Sequence, residues 1–358
     1  MIIKYSVQEI IFTLLFVVAL LIHPALGLFF IPFVFSYDRN SNYVFAVLLS
    51  ISFASLVASR EVYVEGVADD LIAYYHYLNH FPTLSILEFM SETRYEPVFY
   101  LAYFVYDGIS PRGLLFANSF LCSVAYFCCF VTLAKKFNMP VKALILLSCC
   151  VFPFELVSNT PRQLTGSCLF FAFIFSRYRF ISLLVHKSSI ALIWFTNGLT
   201  LRLMFVSIMF VSIVFVFSYW SSVLNLIYVQ IVKRFLYFFI QEPQVSMLPI
   251  LMCLIGILVL IMEKNDLHVW RKFVFFAFVC CCLMLFGPLG IRLSMLIFPL
   301  FIVASLIFYT KLNAGEFNIY RDFSAFLILT SFLTARLLSG GAHEPFSGLG
   351  FFEIMFYV

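Results

Sequence analysis

Five groups of residues in this chain are of types that could do chemistry. The first is Arg60, Glu61, Glu65, Asp69 and Asp70, followed by Tyr74, His76 and Tyr77. Helical spacing would put Asp70, Tyr74 and Tyr77 on one face. The second is Arg94 with Glu96-Pro97, where a proline at a first helical position signals a helix start. The third is the polar knot Asn159-Thr160-Pro161-Arg162-Gln163 between two apolar segments. The fourth is Arg292, which follows Gly287-Pro288-Leu289-Gly290. The fifth is His186-Lys187-Ser188-Ser189, set inside an otherwise apolar run. Guanidinium groups bind phosphate through paired hydrogen bonds and keep their charge. Several arginines beside carboxylates on one membrane face would therefore suit a pyrophosphate attached to a lipid. A histidine within a membrane segment is a functional candidate by default. No glycine pattern of a P-loop or a dinucleotide fold is present, which argues against a nucleotide-using cytoplasmic site.

These groups must be positioned by elements that suit lipid. The chain has 358 residues, 63% hydrophobic and 11% charged, with a mean hydropathy of +1.04. Soluble domains carry about 25% charged residues. In lipid each backbone polar group must be paired within its own segment, so long apolar runs become helices. The expected fold class is all-α, a polytopic transmembrane helical bundle forming a single domain over residues 1–358. A span takes about 20 residues. The candidate spans are 9–35, 43–58, 113–134, 142–157, 163–176, 180–200, 203–218, 247–262, 273–286, 292–309 and 322–338, about 10–11 in all. The first is expected to kink at Pro24 and to be a spanning helix rather than a cleaved signal. No soluble domain is expected at either end.

Lys135, Lys136 and Lys142, then Arg177 and Arg179, then Lys264, Arg271 and Lys272, mark cytoplasmic loops; Lys311 and Arg321 flank a weaker one. The large polar loop 59–95 then falls in the periplasm. The apolar stretch after it, near 96–107, is too short to cross. It is expected to be a re-entrant or interfacial half-helix, and such backbone is tolerated only beside a cavity. Residues 219–244 mix Trp220, Lys233, Arg234 and Tyr237 with apolar residues and read as an interfacial amphipathic segment.

Bland readings account for other polar residues. The basic loop residues are topology signals, and an arginine at a helix end often only snorkels to the headgroups. Trp270, Tyr309 and Tyr320 suit interface anchors. The ten cysteines sit mostly in apolar runs without metal-site spacing and read as small buried hydrophobes. A net charge of +4 offers no reason to invoke nucleic acid.

The order of these groups resembles the Wzy-type polysaccharide polymerases, in particular the EpsG-like branch. The resemblance is carried by Arg60…Gly66…Asp69-Asp70…Tyr74, by Glu96-Pro97 before Val98-Phe99-Tyr100, by Asn159…Arg162-Gln163, and by His186 with Ser188 or Ser189. Arg292 entering a late helix fits too. Thr165 or Gly166 stands where the family usually has an alanine after the Arg-Gln pair. The run from Arg179 to His186 is also shorter than the helix expected there.

The resemblance implies a GT-C-like, metal-independent membrane glycosyltransferase of the bacterial inner membrane, needing no cofactor. Its substrate would be an undecaprenyl-pyrophosphate-linked glycan, drawn from membrane lipid and polymerised at the periplasmic face. A chain-length regulator protein is the implied partner. Arg60, Arg162 and Arg292 would hold the pyrophosphate, where fixed cations stabilise the leaving group. Glu96, His186 or Asp70 would serve as general base. Asp69, Tyr74, Asn159 and Gln163 would bind substrate. An O-antigen ligase, or a flippase for the same lipid-linked unit, is the rival reading.

Overall fold

The computed structural model describes residues 7–22, 24–27, 30–35, 41–59, 85, 88, 111–159, 161–174, 176–192, 246–264, 266–284 and 289–312. Every regular element among the described residues is helical. Among the described residues four stretches are long and apolar enough to cross a membrane: Ser41–Ala58, Arg112–Lys136, Leu267–Met284 and Leu289–Leu312. The spans expected at 203–218 and 322–338, the loop 59–95, the half-helix near 96–107 and the segment 219–244 lie outside the described residues. The chain forms two compact units, Met1–Ser189 with Tyr309–Val358, and Ile190–Phe308.

The first unit opens with α1 (Val7–Ile22), α2 (Pro24–Gly27) and α3 (Ile31–Val34). The expected single kinked span 9–35 is instead a reversal. Phe33 stacks on Phe12 at 4.7 Å between ring centroids, and Phe35 packs edge-on to Phe16. α3 therefore lies beside the middle of α1. Proline removes a helical hydrogen bond, and here the chain turns around at Pro24 rather than bending. The outer face of α1 exposes Ile10, Ile11, Leu14, Leu15, Val18 and Ile22. Such an apolar stripe suits lipid and not water.

α4 (Ser41–Ala58) and α5 (Pro111–Lys136) form the centre of this unit. They are antiparallel. The Tyr43 hydroxyl lies 3.1 Å from Thr132 Oγ1, Lys135 Nζ sits over the Tyr43 ring, and Phe53 meets Phe127 further along. Ser59 and Pro111 thus lie at the same end of the pair. α4 is buried on most of its surface, and its serines bond within the helix: Ser50 Oγ donates to the Ala46 carbonyl at 2.7 Å and Ser55 Oγ to Ile51 at 2.9 Å. Such back-bonding satisfies a hydroxyl where no water is at hand. α5 ends at Lys135-Lys136, where cations suit the negative helix end. Asn138 follows in the left-handed region (φ 54°), with Met139 N–H bonded to the Ala134 carbonyl, a Schellman-type stop.

The expected span 142–157 is two pieces, α6 (Val141–Cys150) and α7 (Phe154–Asn159). Pro153 cannot donate a backbone hydrogen bond, and the residue before a proline is pushed out of helical geometry. The break is filled by rings. Phe152 lies 4.7 Å from Phe53, 5.2 Å from Tyr126 and 5.7 Å from Phe127, and Phe154 packs on Phe53. Tyr126 donates its hydroxyl to the Ser148 carbonyl at 2.9 Å, tying α6 to α5.

The expected span 163–176 is α8 (Pro161–Ala172), only 12 residues, or about 18 Å. The expected span 180–200 is broken too. Its described part runs through a 3₁₀ turn (Arg177–Phe180), α9 (Ile181–Val185), an extended His186 and a second 3₁₀ turn (Lys187–Leu192).

The second unit contains α10 (Met247–Met262), α11 (Leu267–Met284) and α12 (Leu289–Ser294), then a 3₁₀ turn and the start of α13 (Phe298–Leu312). α10 exposes Met247, Leu251, Leu254, Leu258 and Ile261, again a lipid-type stripe. α11 begins earlier than the expected 273–286, so Arg271 and Lys272 belong to the helix rather than to a loop. Asp266, at φ 53°, starts it by accepting the Val269 N–H. Lys272 is buried, its methylene stem covered by the helix packing while Arg271 is exposed.

Candidate functional site

The polar residues of the first unit are set by the register of α8 against α5. Cys122 lies beside Thr165, and Cys168 beside Cys129. Positions rising along α5 pair with positions rising along α8, so the two helices are parallel. One turn before the Cys122–Thr165 contact, Asn118 and Ser119 of α5 come level with Pro161 and Arg162 of α8. That level is about 10 Å from the start of α5. The Asn159–Gln163 knot therefore turns below the end of the long helix, not at its rim. Pro161 occupies the first helical position, where its missing N–H costs nothing. Arg162 and Gln163 follow it, both half-buried. Asn159 ends α7 on the other side of the turn.

Gly166 lies one turn after Arg162 on the same face of α8. A Cβ built there would come 2.8 Å from Ser189 Oγ, 3.1 Å from His186 Cβ and 3.5 Å from the Ser182 carbonyl. The glycine thus lets the His186 break press directly against α8. His186 sits level with the middle of α5, which in a bilayer crossed by α5 is mid-depth. Its backbone is held on both sides: its N–H donates to Ser182 at 2.9 Å, and its carbonyl accepts from Ser189 N–H at 3.0 Å. Its Nδ1 is hydrogen-bonded to Ser188 Oγ and lies 3.3 Å from the Ser188 backbone N–H. Irregular backbone at such depth is found where it is buried in protein or lines a cavity. The arrangement sets Arg162, Gln163 and the His186 break within about two turns of each other along a small-residue helix. Guanidinium, amide and imidazole are groups that bind anions and oxygen-rich groups.

The sequence reading missed Asn118 and Ser119. Both are buried on α5, as is Ser123, and the Ser119, Ser123 and Ser189 hydroxyls make no hydrogen bond among the described residues. The signal was available, because an amide in the apolar run 113–134 is a costly residue in lipid. Gly166→Leu is expected to displace His186 and Ser189 from α8. The check is alkylation of a cysteine placed at Ser189, which should accelerate at least tenfold in the leucine variant.

Arg292 lies in the second unit, exposed on α12. Gly290, one turn-half before it, packs against the backbone of α11 at Cys280 and Met284. Arg60, Asp69, Asp70, Tyr74 and Glu96 lie outside the described residues. All ten cysteines are free, and among the described residues no three His, Cys, Asp or Glu side chains group to hold a metal ion. No family model matches this chain, and neither a curated protein nor a solved structure does.

Proposed function

We propose that the protein is a glycosyltransferase of the bacterial inner membrane that polymerises undecaprenyl-pyrophosphate-linked oligosaccharide units at the periplasmic face. The observation that carries this reading is Arg162 set below the end of α5, one turn from the Gly166–His186 contact. A cation at that depth, beside broken helices, suits a phosphate that hangs from a lipid in the same membrane. The acceptor hydroxyl attacks the anomeric carbon, the bond to the pyrophosphate oxygen breaks, and undecaprenyl pyrophosphate leaves. Its growing negative charge is met by Arg162; Arg60 and Arg292 are guanidinium groups of the same type and are candidates for the same role. The acceptor's proton passes to a general base, for which Glu96, His186 and Asp70 are suited by type. Asn159, Gln163, Asp69 and Tyr74 hold sugar hydroxyls. The donor is already activated, so neither metal nor cofactor is required, and a chain-length regulator protein is the expected partner.

The test is the glycan made by a deletion strain. A single repeat unit on the lipid core supports polymerase. Long undecaprenyl-linked chains with a bare core indicate a ligase instead, and units trapped on the cytoplasmic side indicate a flippase.

A further inference from the structure

The end of the first unit opposite the Asn159–Gln163 knot collects positive charge. α5 closes on Lys135 and Lys136, both exposed. The left-handed Asn138 then turns the chain into α6, whose first turn carries Lys142. α8 runs parallel to α5 with Cys168 beside Cys129, so its last residue, Ala172, comes level with Leu133. The chain turns there, and Arg177 and Arg179 follow in the 3₁₀ turn Arg177–Phe180. The Tyr178 ring packs edge-on to Phe173 at 6.4 Å between centroids, which keeps the turn against the end of α8. Five cations from three stretches of sequence thus come to one end. Between Pro111 and Leu192 the sequence holds a single carboxylate, Glu155. It follows Phe154, which packs on Phe53 near the level of Phe127, about 12 Å short of Lys135.

A topology signal needs only charge in a loop. Here the charge has the neighbours of a lipid interface. Tyr178 is 50% exposed and Phe180 46%, and Ile181 and Leu184 after them are open to the surroundings as well. Aromatic residues at the ends of membrane helices suit the boundary between headgroups and acyl chains. Lys135 Nζ lies 5.0 Å from the centroid of the Tyr43 ring, which holds one cation at the rim. We propose that this end of the first unit binds anionic phospholipids, its five cations meeting headgroup phosphates while Tyr178 and Phe180 enter the acyl boundary. Arg162 opens α8, and this face lies past the far end of the same helix, about 15 Å further along. The lipid face is therefore separate from the proposed pyrophosphate site and does not depend on it.

The test is lipid retention by the purified full chain in detergent, where both ends are open to lipid and orientation in a membrane plays no part. Phosphatidylglycerol and phosphatidylcholine are offered together, and the lipid that stays with the washed protein is extracted and counted by mass spectrometry. The wild type is expected to retain phosphatidylglycerol preferentially, and added salt to weaken that preference. A basic residue near an anionic lipid surface strengthens binding about fivefold. The double variant Lys135→Gln, Lys136→Gln should therefore lower the preference by at least that factor. Arg112→Gln removes a charge at the opposite end of α5 and should leave the preference unchanged. Four results overturn the proposal: equal retention of the two lipids by the wild type, a wild-type preference in the double variant, an equal loss in Arg112→Gln, or displacement of the lipid by an equal concentration of inorganic phosphate.

Discussion

Arg162→Ala abolishes long surface polysaccharide while the protein remains folded in the membrane. That is the expected result, and its size follows from the arginine's place. Removing one fixed donor from a site where charge develops costs about 10²- to 10³-fold in rate. In a bilayer there is little water to replace the lost cation, so the upper end of that range applies. Arg162→Lys is expected to recover only part of the activity. A lysine supplies a point charge, and the paired geometry that a guanidinium offers to phosphate is lost. The measurement is the length distribution of glycan in a deletion strain carrying each variant, with the membrane level of the protein measured in parallel. Wild-type chain lengths from Arg162→Ala at normal protein level would remove the pyrophosphate clamp, and with it the main support for the proposed function.

The second large effect is on stability. A Cβ at Gly290 would collide with the Cys280 carbonyl and with the Met284 backbone nitrogen, which lies 2.6 Å away. Both are backbone atoms of α11, held in place by the helix itself. Forcing extra volume into a packed contact costs about 1–3 kcal/mol, occasionally more. Gly290→Ala should fall at or above the top of that range, because nothing flexible can yield. Gly256 is the internal control. Its Cβ would meet the Phe273 ring at 2.8 Å and Val274 Cγ2 at 2.9 Å, which are side-chain atoms that can turn aside. Gly256→Ala should therefore lower the melting temperature less than Gly290→Ala. Helical circular dichroism suits the measurement, since every regular element among the described residues is helical. Equal shifts for the two variants would contradict the packing argument.

What could be read from the residues alone follows from physics that is local. Residues 113–134 were expected as a span and lie within α5, because an apolar run of that length has no other way to pair its backbone in lipid. The expected 292–309 likewise lies within the described stretch Leu289–Leu312. The misses involve contacts between distant residues. Pro24 signals an interruption, but only the stacking of Phe33 on Phe12 decides that the chain doubles back. Pro153 signals a break in 142–157, but the break is stabilised by rings from α4 and α5 that no local pattern reveals. The interruption at His186 has no proline or glycine to announce it; the partner that permits it is Gly166, on another helix. The candidate site residues themselves were chosen by type and order. Of these, Arg162, Gln163 and His186 are held in the first unit near one helix, and Arg292 stands in the second. Asn118 and Ser119 escaped notice because a single amide and a serine inside an apolar run resemble ordinary helix filler until the register of α8 sets them level with Arg162.

The antiparallel pairing of α4 with α5 works as a clasp on the sequence. Ser59 and Pro111 come to one end of the pair, and Tyr43 and Lys135 meet at the other. Points far apart along the chain are thus moored to a common rim by the packing of two helices.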